Sequence, residues 1–162
     1  MDPVRSSLGG GIAATVALLV FLLVANLPLA GTNLFVFATF TSLCAVGGAP
    51  YCELGSPTAT FLTFIWFGLL YAVAWPFLFA GFTWGLPGET GLTHGAVYGF
   101  ILWAGYVVAV LYGISIGSQT LGDNLPMVVV TLLAYLVYGV VLGAGYDYLA
   151  EHRTFLSERQ PT

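Results

Sequence analysis

The sequence has very little charge. Of its 162 residues only 6% are charged, none is lysine, and the formal net charge is −4. A soluble domain carries about 25% charged residues, so water is not the main solvent of this chain. The lack of a basic patch also excludes nucleic-acid binding and recognition of anionic lipid by clustered basic side chains.

Long intervals of the chain contain no charged residue at all. They are bounded in turn by Arg5, Glu53, Glu89, Asp123 and Asp147. A spanning helix needs about 20 predominantly apolar residues, and each interval has room for one. These intervals take up nearly the whole chain, in which 59% of the residues are hydrophobic, so no residues remain to build a soluble core. The sequence therefore predicts an all-α, polytopic membrane protein with one domain, residues 1–162.

Proline and cap signals divide this apolar chain into four spanning helices. Pro28 ends the first helix and Pro57 begins the second, since proline lacks an N–H group and restricts the residue before it. Pro76 lies inside the second helix and predicts a kink near Ala72. We expect a kink rather than a break, because neighbouring helices can satisfy a carbonyl that proline leaves without a donor. Asp123 precedes the fourth helix as a cap. The predicted helices cover residues 8–29, 58–84, 92–116 and 126–149.

The apolar segment 34–46 is short for a span. We predict that it forms an interfacial or re-entrant helix after helix 1. The only basic residues are Arg5, Arg153 and Arg159, at the two ends of the chain. Basic residues favour the cytoplasmic side, so both termini are predicted in the cytoplasm of a multi-pass cell-membrane protein. An even number of spans follows, giving a four-helix transmembrane bundle.

Small residues recur at four-residue spacing in the predicted helices. The clearest pairs are Gly95 with Gly99 and Gly139 with Gly143. This spacing puts both members of a pair on one helix face, where two backbones can approach closely. We predict close helix packing at these four glycines.

Few side chains in the sequence are suited to binding a metal or a cofactor. His94 is the only histidine in a predicted span, and an ionisable residue there is a candidate for binding haem, metal or a proton. With His152 and Asp147 it makes a weak set of candidate metal ligands near the cytoplasmic surface. An interfacial histidine satisfied by water or by capping is the simpler interpretation. The sequence itself requires no cofactor.

Two cysteines lie in the stretch after helix 1. Cys44 and Cys52 fall on the predicted external side, where oxidising conditions permit a disulfide. Buried, unpaired thiols are the equal alternative, because the surroundings of Cys44 are apolar.

Catalytic patterns are scarce. No serine lies in a nucleophile elbow and no second histidine supplies a base within a span. The carboxylates lie at helix ends, which disfavours a proton-coupled transporter. Whether the chain is an enzyme is left open, with no catalysis the favoured interpretation.

Three strings of the sequence resemble those of one protein family. They are residues 10–15 (GGIAAT), residues 94–99 (HGAVYG) with Trp103, and residues 135–143 (YLVYGVVLG). The chain resembles small uncharacterised four-helix integral membrane proteins of prokaryotes, common in salt-loving archaea. Those proteins often carry a histidine before the Leu-Val-Tyr-Gly string and another in helix 2. Tyr135 and Phe64 or Ile65 stand there instead, which weakens any metal or haem site that the resemblance implies.

Three functional hypotheses follow. The first is a non-catalytic accessory or structural subunit of a larger membrane assembly, such as a respiratory complex. Its partners would be membrane lipid and other membrane subunits, or further copies of the chain. The second is a small channel or carrier for a neutral or apolar solute. The third is a haem- or metal-binding membrane protein that uses His94.

Overall fold

A computed structural model describes residues 3–28, 57–83, 85, 90–105 and 125–150. This part of the chain forms four helices. The first, α1, is Pro3–Asn26, and α2 covers residues 57–82 in three consecutive parts. The third, α3, is Gly91–Leu102, and the fourth, α4, is Leu125–Leu149. The predicted all-α fold is confirmed, and the re-entrant segment 34–46 lies outside the described residues.

The helix boundaries follow local chemistry. α1 begins at Pro3, five residues before its predicted start, because proline suits a first helical turn whose N–H groups have no partner in the helix. Its end at Asn26 precedes Pro28. At the start of α3 the Thr90 hydroxyl accepts a hydrogen bond from the Thr93 N–H at 3.3 Å, and the Thr93 hydroxyl accepts one from the Thr90 N–H. This reciprocal capping box replaces two of the main-chain bonds that a helix start lacks.

Three of the helices are long and apolar enough to cross a membrane: Val4–Asn26, Phe61–Phe82 and Val128–Leu149. α3 is described over only 12 residues. It was predicted to continue to Ile116, and the residues beyond 105 lie outside the described part. The helical content and the three apolar helices agree with the membrane class that the composition predicted.

α2 is interrupted at its centre. It is α-helical over Pro57–Gly68, π-helical over Leu69–Ala74 and α-helical again over Trp75–Phe82. The sequence predicted a kink near Ala72, and the structure places the π segment around that residue. A π segment inserts one additional residue into a helix, and such insertions occur frequently at functional sites.

Residue contacts give the direction of each helix. The start of α1 lies against the end of α4, since a Cβ atom built on Gly10 would be 3.0 Å from the Tyr146 nitrogen. Gly91 lies beside Gly143, so α3 and α4 are also antiparallel. α2 and α4 run in parallel, because Phe79 contacts Tyr146 while Tyr71, earlier in α2, contacts Tyr138. The helices therefore alternate in direction, and α1 starts at the end of the bundle where α4 ends.

Candidate functional site

Four buried tyrosines occupy the centre of the bundle and form what we call the tyrosine cluster: Tyr71, Tyr98, Tyr135 and Tyr138. Their exposed fractions are 0%, 4%, 1% and 0%. Tyr71 comes from the π segment of α2, Tyr98 from α3, and the other two from α4. A hydroxyl group buried away from water requires a hydrogen-bond partner, and the cluster finds its partners on neighbouring helices.

The π segment provides the first of these partners. The Trp75 N–H donates to the Leu70 carbonyl, five residues back, whereas an α-helix would direct it to the Tyr71 carbonyl. The next residue, Pro76, has no N–H to donate. The Tyr138 hydroxyl takes this role and donates to the Tyr71 carbonyl at 2.6 Å. A side chain of α4 thus completes the main-chain bonding of α2.

A second tyrosine binds the same region of α2. The Tyr98 hydroxyl donates to the Trp75 carbonyl at 2.7 Å, which links α3 to the residue just after the π segment. The hydroxyls of Tyr71 and Tyr135 are hydrogen-bonded to each other. Through these bonds α2 is joined to both α3 and α4 around the π segment.

Aromatic rings extend the cluster along α2. The Tyr71 ring lies 4.7 Å from Phe67 and 5.4 Å from Tyr138, centroid to centroid. Phe79, one turn beyond Pro76, has ring contacts with Tyr98 at 5.2 Å and with Tyr146 at 5.6 Å. Tilted and edge-to-face pairs of this kind are favourable arrangements of aromatic rings. Ring contacts therefore run along α2 from Phe67 to Phe79.

Sequence reasoning missed the tyrosine cluster. A signal was available, because Tyr135 and Tyr138 lie three residues apart, in mid-helix, within a candidate span. A hydroxyl at such a depth needs a protein partner. What the sequence could not supply is the acceptor, since the Tyr71 carbonyl becomes available only through the π register.

The predicted packing glycines face each other across α3 and α4. A Cβ atom on Gly95 would lie 2.9 Å from the Gly139 carbonyl carbon, and one on Gly143 would lie 2.9 Å from the Gly95 Cα. A Cβ on Gly99 would be 3.1 Å from the Tyr135 carbonyl carbon. Real Cβ atoms essentially never approach within 3.0 Å, so the two backbones meet at a distance that side chains would prevent. Gly91 extends this row by one turn and was not among the predicted residues.

Glycines of α1 give equally close contacts on the other side of the bundle. A Cβ atom on Gly11 would lie 2.8 Å from the Pro76 Cβ and 2.9 Å from the Ala72 carbonyl oxygen. Gly10 meets α4 in the same way, with Gly145 opposite. The start of α1 is therefore in backbone contact with both the π region and the end of α4.

Asp147 lies in the last turn of α4 and is only 5% exposed. The sequence placed this carboxylate at a helix end near the surface, and its burial was not predicted. The cause is Gly91: a Cβ there would be 2.6 Å from the Asp147 Cβ, so the missing side chain lets the first turn of α3 close over the carboxylate. The N-terminus of α3 is electropositive and favours a negative charge nearby.

His94 lies on the first turn of α3 and is half-buried. Across the described residues no three His, Cys, Asp or Glu side chains come together in a way that would hold a metal ion. His152, Cys44 and Cys52 lie outside that part of the chain, so the candidate metal set and the disulfide stay predictions.

Ser6 and Ser7, at the start of α1, are fully buried.

The family comparison covers almost the whole chain. Residues 1–157 match the model of DUF6789, a family of unknown function. The chain belongs to this family. No curated protein and no solved structure matches the chain significantly. Membership in DUF6789 therefore carries no assigned activity, and the function of this member must be argued from its own residues.

Proposed function

We propose that this protein is a non-catalytic accessory subunit of a larger membrane assembly, with respiratory complexes the class to test first. The observation that carries the proposal is the use of the buried hydroxyls. Tyr138, Tyr98 and the Tyr71–Tyr135 pair direct their hydrogen bonds at other helices of the same chain. These tyrosine hydroxyls hold the helices together, whereas the buried Ser6 and Ser7 hydroxyls have no hydrogen-bond partner among the described residues.

A further buried hydroxyl supports the same proposal. The Trp103 indole N–H donates to the Thr131 hydroxyl at 3.2 Å, and that hydroxyl donates to the Val128 carbonyl at 3.0 Å. Thr131 is 1% exposed, so this bond ties α3 to α4 inside the bundle. Polar groups that are consumed in this way are not available to a substrate.

The outer surface of the bundle is apolar and offers extensive area for lipid or for other helices. α1 exposes aliphatic side chains such as Val16, Val20 and Leu23, each more than half exposed. α2 exposes a more aromatic surface that includes Phe61 and Phe82. Helix association in lipid is driven by close packing of such surfaces.

Two glycines of α2 allow docking to be tested without disturbing the bundle. Cβ atoms built on Gly68 and Gly81 would meet no atom of the described residues within 4 Å. A leucine at either position therefore starts from a Cβ that is clear of the described helices and adds bulk to the surface of α2. By contrast, a leucine at Gly95 would enter the Gly139 backbone, which makes that variant a matched control for loss of the fold.

The experiment is co-purification from native membranes in a mild detergent, with the tagged chain expressed at its natural level. We expect a defined set of membrane subunits with the parent protein. Gly68→Leu or Gly81→Leu should reduce that set while the chain itself stays folded. A stable protein that purifies alone, from parent and variants equally, would contradict the proposal.

The second candidate is a small carrier or channel for a neutral or apolar solute, and the π segment is the observation that favours it. Interrupted helices form the midplane binding sites of many transporters, and Leu69–Ala74 interrupts α2 where the buried hydroxyls gather. Flux of neutral solutes into liposomes tests this function. Equal flux with parent protein, with the Tyr138→Phe variant and with empty liposomes would rule it out.

A further inference from the structure

We propose that Leu69–Ala74 is a register switch. Two tyrosine hydroxyls hold this segment in its π-helical form, and they thereby hold the α-helical part that follows, Trp75–Phe82, in a rotated position. The alternative state is a continuous α-helix through residues 57–82. The proposal concerns the conformations of this chain alone and does not depend on the accessory role proposed above.

Pro76 removes a main-chain donor from both registers. In the α register the N–H that Pro76 lacks would have donated to the Ala72 carbonyl, four residues back. In the π register the missing donor would have served the Tyr71 carbonyl, five residues back. Because Trp75 donates to Leu70 and α-helical bonding resumes from Trp75, the π register leaves one more carbonyl without a main-chain donor than the α register does. The π register therefore depends on a side-chain donor.

The Tyr138 hydroxyl reaches the carbonyl that the π register leaves open. It donates to the Tyr71 carbonyl at 2.6 Å. The Ala72 carbonyl instead faces Gly11 of α1, at 2.9 Å from the position of a Cβ on that residue, and glycine has no side-chain donor. The side chains around Pro76 therefore favour the π register.

The Tyr98 hydroxyl fixes the rotation of the segment that follows. Release of the additional π residue would turn Trp75–Phe82 by about 100°, the angle of one residue at 3.6 per turn. The Trp75 carbonyl would then turn away from Tyr98, which now binds it at 2.7 Å. Leu78, now 44% exposed, would take the buried place of Phe79.

The second register is accessible because Leu78 and Phe79, which would exchange places, are both apolar. Exchange of Phe79 for Leu78 in the core replaces one large apolar group with another, and neither position introduces a charge. Packed interiors tolerate exchanges between apolar side chains of similar volume. The rotation would also bring Trp75 to the place of Pro76 beside Gly11, so the start of α1 has to shift with it.

The test measures distances between spin labels in a lipid bilayer, in a background with Cys44 and Cys52 replaced by serine. One label pair joins positions 78 and 148, both exposed and both at the end of the bundle where the rotation occurs. The control pair joins positions 64 and 133, which are also exposed. Phe64 precedes the π segment, so the control distance is the same in either register.

We expect the parent protein to give a single distance population for each pair. The double variant Tyr98→Phe, Tyr138→Phe should add a second population for the 78–148 pair and leave the control pair unchanged. Pro76→Ala supplies the missing N–H of the α register and should produce the same second population on its own. An unchanged 78–148 distance in both variants would overturn the switch, and so would a change that affects both label pairs equally.

Discussion

The Tyr138 hydroxyl donates to the main-chain carbonyl of Tyr71 at 2.6 Å, across the contact between α4 and α2. The bond exists because Trp75 donates to Leu70 and because the next residue is a proline. A side-chain donor on one helix thus compensates for a main-chain irregularity in another. In lipid no water is available to donate to this carbonyl. The π segment therefore needs the donor that α4 provides, and the bond in turn joins α4 to α2.

Replacement of Tyr138 by phenylalanine should lower the stability of the bundle. The ring stays, but the Tyr71 carbonyl loses its donor, and we expect the free energy of unfolding to fall by about 1 to 2 kcal/mol. Unfolding in mixed detergent micelles would measure the loss. Tyr148→Phe is the control, because Tyr148 is 55% exposed. Equal stability of the two variants would show that the bond contributes nothing.

Addition of a methyl group at Gly95 should also lower the stability of the bundle, in this case through packing. The new Cβ would overlap the carbonyl of Gly139, which forces α3 and α4 apart. We expect Gly95→Ala to lower the free energy of unfolding by about 1 to 3 kcal/mol. Gly68→Ala adds the same methyl where no atom of the described residues lies within 4 Å, and it should leave stability unchanged or slightly raised. The prediction fails if both alanines behave alike.

Reporter fusions at the two ends of the chain should fall on the same side of the membrane. α1 begins where α4 ends, with Gly10 against Tyr146, and the basic residues near both ends favour the cytoplasm. Fluorescent fusions at either end should therefore be active, and periplasmic alkaline phosphatase fusions inactive. Opposite results for the two ends would contradict the alternating arrangement of the four helices.

The accessory role predicts that the pure protein carries no haem. His94 is half-buried on the first turn of α3, and the other histidine of the sequence, His152, lies after the last predicted span. We expect no Soret band in the parent protein and equal metal content in the parent and in His94→Ala. A Soret band that disappears in His94→Ala would instead establish the cofactor hypothesis.

The sequence alone determined the class and much of the outline. Charge-free intervals between residues such as Glu53 and Glu89 fixed where apolar helices lie, because a charge is costly in lipid. Proline fixed helix ends for a similarly local reason, since Pro28 and Pro57 lack an N–H group. Glycine spacing indicated Gly95, Gly99, Gly139 and Gly143 as packing residues, because the period of a helix places them on one face.

Only the tertiary structure decided what those helices do to one another. The pairing of Gly95 with Gly139, and the burial of Asp147 beneath Gly91, depend on which helices are neighbours, and spacing within one helix carries no such information. The π segment was foreseen only as a kink, because its register depends on a donor from Tyr138, 67 residues away in the chain. The Tyr138 hydroxyl and the Tyr71 carbonyl meet only when α4 packs against α2, so no local pattern in the sequence shows this bond.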